Sequence, residues 1–574
     1  MGAIVARKTN GKTYYVYQES YRVKLDPLDR GKTKGSGKSA VRTKAIYLGT
    51  AERILKAIGD RKEPIDACSR EFGLCAAVYQ TAREIDLPGI LLKNLPGDRC
   101  GIPIWVYFLV AIINRIAQAT SKNKMSQWLR KTALPDLLDV NPRKLTGKNF
   151  WYAVDEILPQ KLFHSRRSGS QANELFLPLS EDVFAPIERE VFSAVDHLIG
   201  LSPGLFIYDT TNFYTYIEEP KRSELANTCH SKDSKHHLKH IGLLMAVEKS
   251  HGIPVLSQLY QANRHDSRIF SCVLADVVIA LKKMCAGDSD VVIVLDKGNN
   301  SSDNFRAMNG LVSWVGSLVP SHHKELLDID LTHYDGLWRD LRYYRTQKNI
   351  MGTDCALVMT FNSATARKKE HSLQRGIEKL KVEIVDKWNS YKETLKELPK
   401  GILTIHQKSE YGPCMRVFVE NGHIAFEENQ AEMKARRKRF GKNLIFSNML
   451  DADSNYLIAT YNRRTKIESD FQLLKDQTII RFRPIRHWTD TKIRAHAFCC
   501  VIALTLMRVM QHRARQAGYR MSPGLLKDEL SDIREVVMVY DASDARRKIS
   551  HRSTVQSKLW DVFRLGEMEK MLLH

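Results

Sequence analysis

LFIYDTTNFY, residues 205–214, decides the fold more than any other stretch of the chain. Its first four residues are apolar, and Asp209 follows them at once, ahead of two threonines and an asparagine. A short apolar run that ends in polar residues is typical of a strand buried on both faces of a sheet. The stretch therefore predicts an internal strand that delivers the carboxylate of Asp209 to a sheet edge or cleft.

Neighbouring stretches extend this pattern into a sheet. VVIVLDKGNN, at 291–300, predicts a second buried strand that ends at Asp296, and residues 312–319 predict another. Between the two aspartates, apolar runs at 240–247 and 255–260 flank the turn residues 250–252, as in a hairpin. Antiparallel strands followed by parallel strands and helices predict an α/β fold with an RNase H-like mixed sheet.

The third informative stretch is YNRRTKIESDFQLLK, residues 461–475. If this stretch is one continuous helix, a tyrosine, an arginine, a glutamate and a lysine at relative positions 0, 3, 7 and 14 lie within an arc of about 60°. An acid, two cations and a phenol on one face do not suit an apolar core. We expect a functional helix face made of Tyr461, Arg464, Glu468 and Lys475.

Three carboxylates in these settings indicate phosphodiester chemistry. Mg²⁺ prefers hard oxygen ligands, and two such ions can activate a nucleophile and stabilise a leaving oxygen. We expect Asp209, Asp296 and Glu468 to be catalytic and to bind metal, while Tyr461, Arg464 and Lys475 contact DNA. Each aspartate taken alone could equally cap a loop after its strand.

Composition supports a polyanionic partner. The 574 residues include 88 Lys and Arg against 65 Asp and Glu, which gives a net charge of +23. Nucleic acid is the first expectation, and a ribosomal or membrane-surface protein is the alternative. The length predicts three to five structural units.

The sequence also indicates a location. The ten cysteines form no C-x-x-C pair, so we expect no zinc site and a reducing compartment. The N-terminus lacks the apolar segment of a signal peptide. The longest apolar stretches, 104–113 and 497–507, are too short to span a bilayer. These features predict a cytoplasmic protein without a membrane partner.

Two regions precede the predicted sheet. The first is strongly basic, with the alternating run 13–17, and predicts a small β module. Its loop GKTKGSGKS, at 31–39, lacks the first glycine of a phosphate-binding P-loop, so we expect no nucleotide cofactor. Residues 102–119 and 122–138 have helical periodicity, and SKNKMSQWLRKT suits either a helix that contacts the DNA backbone or a plain bundle.

The chain resembles bacterial insertion-sequence transposases of the DDE class, in the subgroup with a Y-R-E-K signature. The resemblance covers 200–510 most strongly: YDTTNFYTY, the segment DKGNNSSDN, and YNRRTKIESDFQLLK leading into RFRPIRHWTDTKIRAHAF. The chain differs from the family pattern at Lys297, where arginine is common, and at Ala262, where glycine is usual.

The resemblance implies an RNase H-like catalytic core interrupted by a β-rich insertion domain, with strand-like pieces at 356–361, 402–406, 415–420 and 423–427. The expected segments are a basic β module at 1–60, a helical DNA-binding domain at 61–195, the core at 196–320 and 446–515, the insertion at 321–445, and a C-terminal helical region at 516–574.

The resemblance further implies cut-and-paste DNA transposition with two Mg²⁺ or Mn²⁺ ions. The partners would be double-stranded transposon ends and target DNA, and the active complex a homodimer, in the nucleoid of a bacterial cytoplasm. Relatives form a hairpinned end, for which Trp338, Trp388 or Trp488 could stack a flipped base.

Two other functions are compatible with the same residues: a DNA-binding regulator derived from a transposase without catalysis, and a structure-specific nuclease that cuts but never joins. The histidines between 230 and 240 lack the glutamate of H-E-x-x-H, so a basic loop is the better interpretation than zinc.

Overall fold

The fold is described from a computed structural model. It describes residues 2–24, 39–59, 63–158, 179, 181–201, 204–217, 223–229, 235–284, 290–391, 397–540 and 545–573. Residues 31–38 of the loop 31–39 lie outside these ranges. His230 of the histidine-rich segment lies outside them as well.

The strands, in chain order, are β1 (Gly2–Thr9), β2 (Lys12–Lys24), β3 (Ser39–Gly49), β4 (Asp66–Glu71), β5 (Leu205–Thr215), β6 (Lys239–Glu248), β7 (Pro254–Gln261), β8 (Val292–Leu295), β9 (Ser313–Leu318), β10 (Gly336–Trp338), β11 (Leu341–Ile350), β12 (Thr353–Phe361), β13 (Met415–Glu420), β14 (His423–Glu428), β15 (Lys442–Ser447), β16 (Arg534–Val539) and β17 (Ala545–Ile549).

The helices are α1 (Ala51–Gly59), α2 (Gly73–Glu84), α3 (Leu87–Asn94), α4 (Ile104–Ala117), α5 (Lys122–Leu129), α6 (Leu134–Leu137), α7 (Gly147–Ile157), α8 (Phe184–Ile199), α9 (Asp266–Met284), α10 (Ser302–Met308), α11 (Lys324–Leu327), α12 (Ser363–Asn389), α13 (Lys400–Lys408), α14 (Gln430–Arg437), α15 (Ser454–Asn462), α16 (Thr465–Lys475), α17 (Asp490–Gln516), α18 (Pro523–Ser531), α19 (Thr554–Val562) and α20 (Leu565–Leu573).

The chain divides into two compact units. The smaller one comprises residues 1–70 and 534–550. It contains the antiparallel sheet β1-β2-β3, whose first turn has positive φ at Asn10 and Gly11, as a tight hairpin between right-twisted strands requires. Strands β16 and β17 form a second hairpin in this unit.

The larger unit, residues 71–533 and 551–574, is built on a mixed sheet. Among the described residues, nine strands pair in the order β10-β11-β12-β15-β9-β8-β5-β6-β7. The centre, β9-β8-β5, is parallel, and the remaining pairs are antiparallel. The protein is thus a mixed α/β protein with one large sheet.

Helices cover both faces at the centre of this sheet, which explains its continuous apolar runs. On one face, Phe270 of α9 packs edge-on against Tyr208 of β5, with ring centroids 4.7 Å apart. On the other, α15 packs against β9 and β15, and α16 packs against β5. Strands β6, β7 and β8 are buried almost throughout.

A long helix lies in the core of the larger unit. By length and composition α17 could cross a membrane, but 94% of its most apolar window is buried inside the fold. Its one fully buried arginine, Arg494, pairs with Asp182 at 2.6 Å and with Glu188 of α8 at 3.0 Å. Glu188 also accepts a hydrogen bond from the Ser257 amide of β7 at 2.6 Å. These ion pairs and the hydrogen bond connect α17 and α8 to β7 of the sheet.

Several sequence predictions are confirmed at the level of single elements. The strands predicted at 240–247, 255–260, 291–295 and 312–319 are β6, β7, β8 and β9, each within one or two residues. The hairpin turn at 250–252 and the parallel pairs are also present. The strand at 205 is longer than expected, because β5 pairs with β6 as far as Thr215.

The region predicted as a β-rich insertion at 321–445 differs from that expectation. Strands β10, β11 and β12 extend the main sheet, and β15 closes it against β9. What lies between β12 and β15 is mainly helical, with α12, α13 and α14 beside the hairpin β13-β14. The strand predicted at 402–406 is wrong: it is α13, because Pro399 precedes a helix on which Ile402 is buried and Ile405 packs against the same core.

Two helical predictions also need correction. The predicted helix at 122–138 is broken into α5 and α6, because the turn at Lys131 and Thr132 bonds back to the ends of α5. The C-terminal region expected to be helical contains the hairpin β16-β17, since the Val-rich run 536–539 has β propensity. The remaining segment boundaries stay predictions.

Candidate active site

Asp209 and Asp296 lie on neighbouring parallel strands. The β5–β8 register pairs Tyr208 with Leu295, so the two aspartates are the next residues along each strand. Neighbouring strands are about 4.8 Å apart, and equivalent side chains point the same way. The structure therefore brings these two carboxylates together, with Asp209 within β5 and Asp296 just beyond the end of β8.

Alternation along β5 directs Asp209 to the face covered by α16. Tyr208 contacts α9 on the opposite face, so Asp209 and Phe213 share the other face. The Nζ of Lys475, at the end of α16, lies 5.7 Å from the Phe213 ring centroid. Helix α16 accordingly runs along this face of β5.

The dimensions of helix and strand bring Glu468 to the aspartates. Glu468 precedes Lys475 by seven residues, or about 10 Å of helix. Asp209 precedes Phe213 by four residues, or about 13 Å of strand. Because Lys475 lies over Phe213, the other end of the helix places Glu468 near Asp209.

Ion pairs confirm that Glu468 and Asp296 are close. The Nη1 atom of Arg464 lies 3.2 Å from Oδ1 of Asp296 and 3.1 Å from Oε1 of Glu468. Both carboxylates therefore contact one guanidinium nitrogen. Glu468 has 43% of its side chain exposed and Asp296 has 26%, so the group opens to solvent.

The charge on Arg464 is strongly favoured. Burial opposes it, but the negative groups around the guanidinium raise its pKa above the usual value; they are Tyr461, Asp296, Glu468 and Asp209. The same guanidinium lies 5.6 Å from the Tyr461 ring centroid. The arrangement is thus a cation that contacts two carboxylates, Asp296 and Glu468, and is further stabilised by the charge of Asp209.

The expectation of one continuous helix through the Y-R-E-K residues is wrong. Tyr461 is on α15, Arg464 precedes the first residue of α16, and the chain turns between the two helices. Tyr461 is 7% exposed, and burial raises the pKa of its phenol, which bonds to the Ser317 side chain on β9. Arg463 and Arg464 keep right-handed helical dihedrals between the two helices, and Arg464 contacts both Glu468 and Asp296.

The sequence analysis missed a contact that orients α16. Asp470, two residues after Glu468, is fully buried and bonds to Nε of Arg508 on α17 at 2.7 Å. Arg508 also donates to the Ser469 hydroxyl at 3.0 Å. Nothing in YNRRTKIESDFQLLK indicates that Asp470 has a partner 38 residues farther along the chain. The contact fixes the rotation of α16 and so the direction of Glu468.

The donor set suits a hard divalent cation, but its arrangement here serves a guanidinium. Three carboxylates are ligands that Mg²⁺ accepts. Within the described ranges, no group of three or more His, Cys, Asp or Glu side chains has the geometry of a metal site. Arg464 holds two of the carboxylates, so a metal would replace its positive charge between them.

Comparison with known proteins gives a distant structural likeness. No family model matches the chain, and no curated protein matches it. It is similar to a solved piggyBac transposase synaptic complex with hairpin DNA, at 10% identity and a TM-score of 0.36, over 82% of this chain and 80% of that chain. At these values the likeness supports no conclusion about activity, and the DDE, Y-R-E-K family stays a prediction.

The three tryptophans considered for base stacking lie in different settings. Trp488 is 55% exposed, next to the basic stretch 481–487. Trp338 is at the edge of the sheet beside Arg339, and Trp388 packs against the core of the helical insertion. A stacking role for any of them stays a prediction.

Proposed function

We propose that the chain is a DNA transposase of the DDE class, which cleaves transposon ends and joins them to target DNA. One observation carries the proposal: Asp209 and Asp296 are register neighbours on parallel strands, and Glu468 meets Asp296 at the Arg464 guanidinium. Three acids from distant parts of the sequence converge on one solvent-accessible point. Structural capping of separate loops would not require that convergence.

In this proposal the three carboxylates hold two Mg²⁺ or Mn²⁺ ions. Bound there, such ions supply charge neutralisation at the phosphodiester and a more acidic nucleophile. Asp209 and Asp296 provide a rigid base, because both lie on or beside sheet strands. Glu468 is on α16, whose rotation is fixed by Asp470 and Arg508.

Arg464 would exchange partners during the reaction. Its guanidinium now pairs with Asp296 and Glu468. An incoming phosphodiester is a bidentate anion that a guanidinium recognises well, so DNA can take the arginine over. Lys475, at the end of α16 and over Phe213 of β5, would contact another phosphate of the same DNA strand. Tyr461 would hold α15 in place for both contacts.

The net charge of +23 supports double-stranded DNA as the partner. Two transposon ends must be processed together, so we propose a homodimer assembled on DNA. The protein would act in the nucleoid of a bacterial cytoplasm.

The first test is cleavage of DNA that carries the terminal inverted repeats flanking the gene. Asp209→Asn, Asp296→Asn and Glu468→Gln should each abolish Mg²⁺-dependent cleavage and retain binding in a mobility-shift assay. Cleavage by one variant at a rate within about ten-fold of the wild type removes that residue from the site. Binding without cleavage by the wild type would instead indicate a regulator.

The second test separates a transposase from a nuclease. A DNA end already cut to expose its 3′-hydroxyl should be joined to a target plasmid by the wild type. Cleavage of intact ends without any joined product would contradict the proposal in favour of a nuclease.

A further inference from the structure

A second site, separate from the carboxylates, lies between the α4–α5 connection and residues 481–487. It is a cavity of about 340 Å³, a size that admits a small molecule. Five basic side chains line it: Arg115, Lys122, Lys124, Arg481 and Arg486. Within the described part of the chain, its lining contains no Asp or Glu. The cavity therefore concentrates positive charge that no wall residue neutralises.

Lys122 is the most unusual of these residues. It is 3% exposed, and its Nζ has no hydrogen-bond acceptor among the described residues. Its near contact is the Phe150 ring, with the centroid 4.9 Å from Nζ. A buried ammonium normally has a carboxylate or carbonyl partner, because removing it from water is costly. Lys122 lines a cavity in which a ligand could supply that partner.

Arg115 is also buried without an acidic partner. It is 5% exposed, and it donates to neutral oxygens, including Oδ1 of Asn114 at 3.0 Å and the carbonyl of Arg481 at 3.5 Å. Its Nε has no partner in the described structure. The guanidinium therefore has no anionic partner beside Lys122, and burial lowers the pKa of Arg115.

The surrounding titratable groups respond to this positive field. Burial and then Arg115 lower the pKa of Lys122 to about 8. Burial and then Lys122 lower the pKa of the half-buried His487 to about 3. Burial is the larger cause of each shift, and the neighbouring cations add to it. An anion in the cavity would oppose the part that is due to the cations.

The walls are held in place before any ligand arrives. Arg481 donates to the Ala119 carbonyl at 3.4 Å, and His496 bonds to the Phe482 carbonyl at 3.0 Å. Helix α5 begins at Lys122, and Ser121 does not cap it with its side chain. The positive end of this helix therefore adds to the field of the side chains.

We propose that this cavity binds an anion of the phosphate class, supplied either by a nucleic-acid backbone or by a small free phosphate. Phosphate oxygens would accept from Lys122 and Arg115 at the base, while Lys124, Arg481 and Arg486 bind the outer oxygens. The proposal does not depend on the carboxylate site, because no residue is shared.

The experiment titrates the full-length protein with pyrophosphate in the absence of divalent metal. Isothermal titration calorimetry at constant ionic strength measures the binding. Lys122→Met removes the positive charge and nearly keeps the side-chain volume. We expect the Kd of this variant for pyrophosphate to be at least about ten-fold higher, because one charge-assisted hydrogen bond contributes about that much to affinity. Lys379→Met, an exposed position on α12, is the matched control and should bind like the wild type.

A double variant tests the proposal even if Lys122→Met does not fold. Lys124 and Arg486 are exposed at the mouth of the cavity, so the double variant Lys124→Gln, Arg486→Gln should fold normally and bind pyrophosphate more weakly. Competition by a DNA duplex would identify backbone phosphate as the source, and persistence of pyrophosphate binding would identify a small phosphate. Absence of saturable binding, or equal binding by all variants, would overturn the proposal.

Discussion

The carboxylate site and the basic cavity place cations in opposite surroundings. Arg464 lies among acids that neutralise it, and its pKa is raised. Lys122 lies among other cations, and its pKa is lowered to about 8. A paired site can exchange its internal cation for another one, whereas an unpaired site gains most from an incoming anion. Charge balance, more than charge itself, therefore indicates which ligand each site accepts.

The largest effect is expected from the paired site. Glu468→Gln keeps the shape of the side chain and removes its charge, and should reduce DNA cleavage by on the order of 10³-fold, equivalent to several kcal/mol of transition-state stabilisation. Glu378→Gln, at an exposed position on α12, is the control. The rate of strand nicking measures the effect, and a loss of less than about ten-fold would contradict a role in the reaction.

Arg494, a buried cation with two acidic partners, shows what full pairing contributes to stability. Arg494→Met would leave Asp182 and Glu188 buried without their partner, so the free energy of unfolding should fall by about 3–5 kcal/mol. Burial already raises the pKa of Glu188, although Arg494 opposes that effect. Urea unfolding followed by tryptophan fluorescence measures the change, with the exposed Arg375→Met as control. Equal midpoints in the two variants would contradict the assigned role.

Replacing Lys122 should have the opposite effect on stability, because its buried charge has no acidic partner. Its folded pKa of about 8 is below the ordinary value of 10.5, so between these values the unfolded chain binds more protons. Stability therefore rises with pH across this window. The titratable groups that interact with Lys122 are Arg115, Cys499, Cys500, His487 and His496.

The measurement compares thermal midpoints of the wild type and Lys122→Met from pH 7 to 10.5. The variant should have the higher midpoint at pH 7, and the difference should shrink toward pH 10.5. Lys527 also has a pKa of about 8, but it contributes equally to both proteins, so its effect cancels in the difference between their midpoints. A difference that is constant with pH would show that Lys122 has an acceptor in solution.

Much of the candidate site could be predicted from the sequence. The apolar runs before Asp209 and Asp296 are buried strands, and parallel pairing then places the two carboxylates side by side. Glu468 could be assigned to a helix, but the turn before that helix could not be predicted. No glycine or proline marks it, and it is stabilised by burial of Tyr461 and by the ion pairs of Arg464.

Partners distant in the sequence account for the rest. The strand predicted at 356–361 has the right local pattern, but nothing local indicates that it pairs with β15 and joins the main sheet. The cavity is less visible still, because Arg115 and Arg481 are 366 residues apart. Arg115 lies in the last turn of an apolar helix, and the stretch 481–487 taken alone has the composition of an ordinary basic surface.

The smallest effect tests whether the cation of the paired site is exchangeable. Arg464→Gln should bind Mn²⁺ about 3- to 10-fold more tightly without DNA, because Asp296 and Glu468 lose a half-exposed positive neighbour. The same variant should cleave DNA more slowly, since the phosphodiester loses a guanidinium. Electron paramagnetic resonance of free Mn²⁺ measures the affinity, and the exposed neighbour Arg463→Gln is the matched control. Unchanged Mn²⁺ affinity in Arg464→Gln would mean that metal and arginine do not compete for these carboxylates.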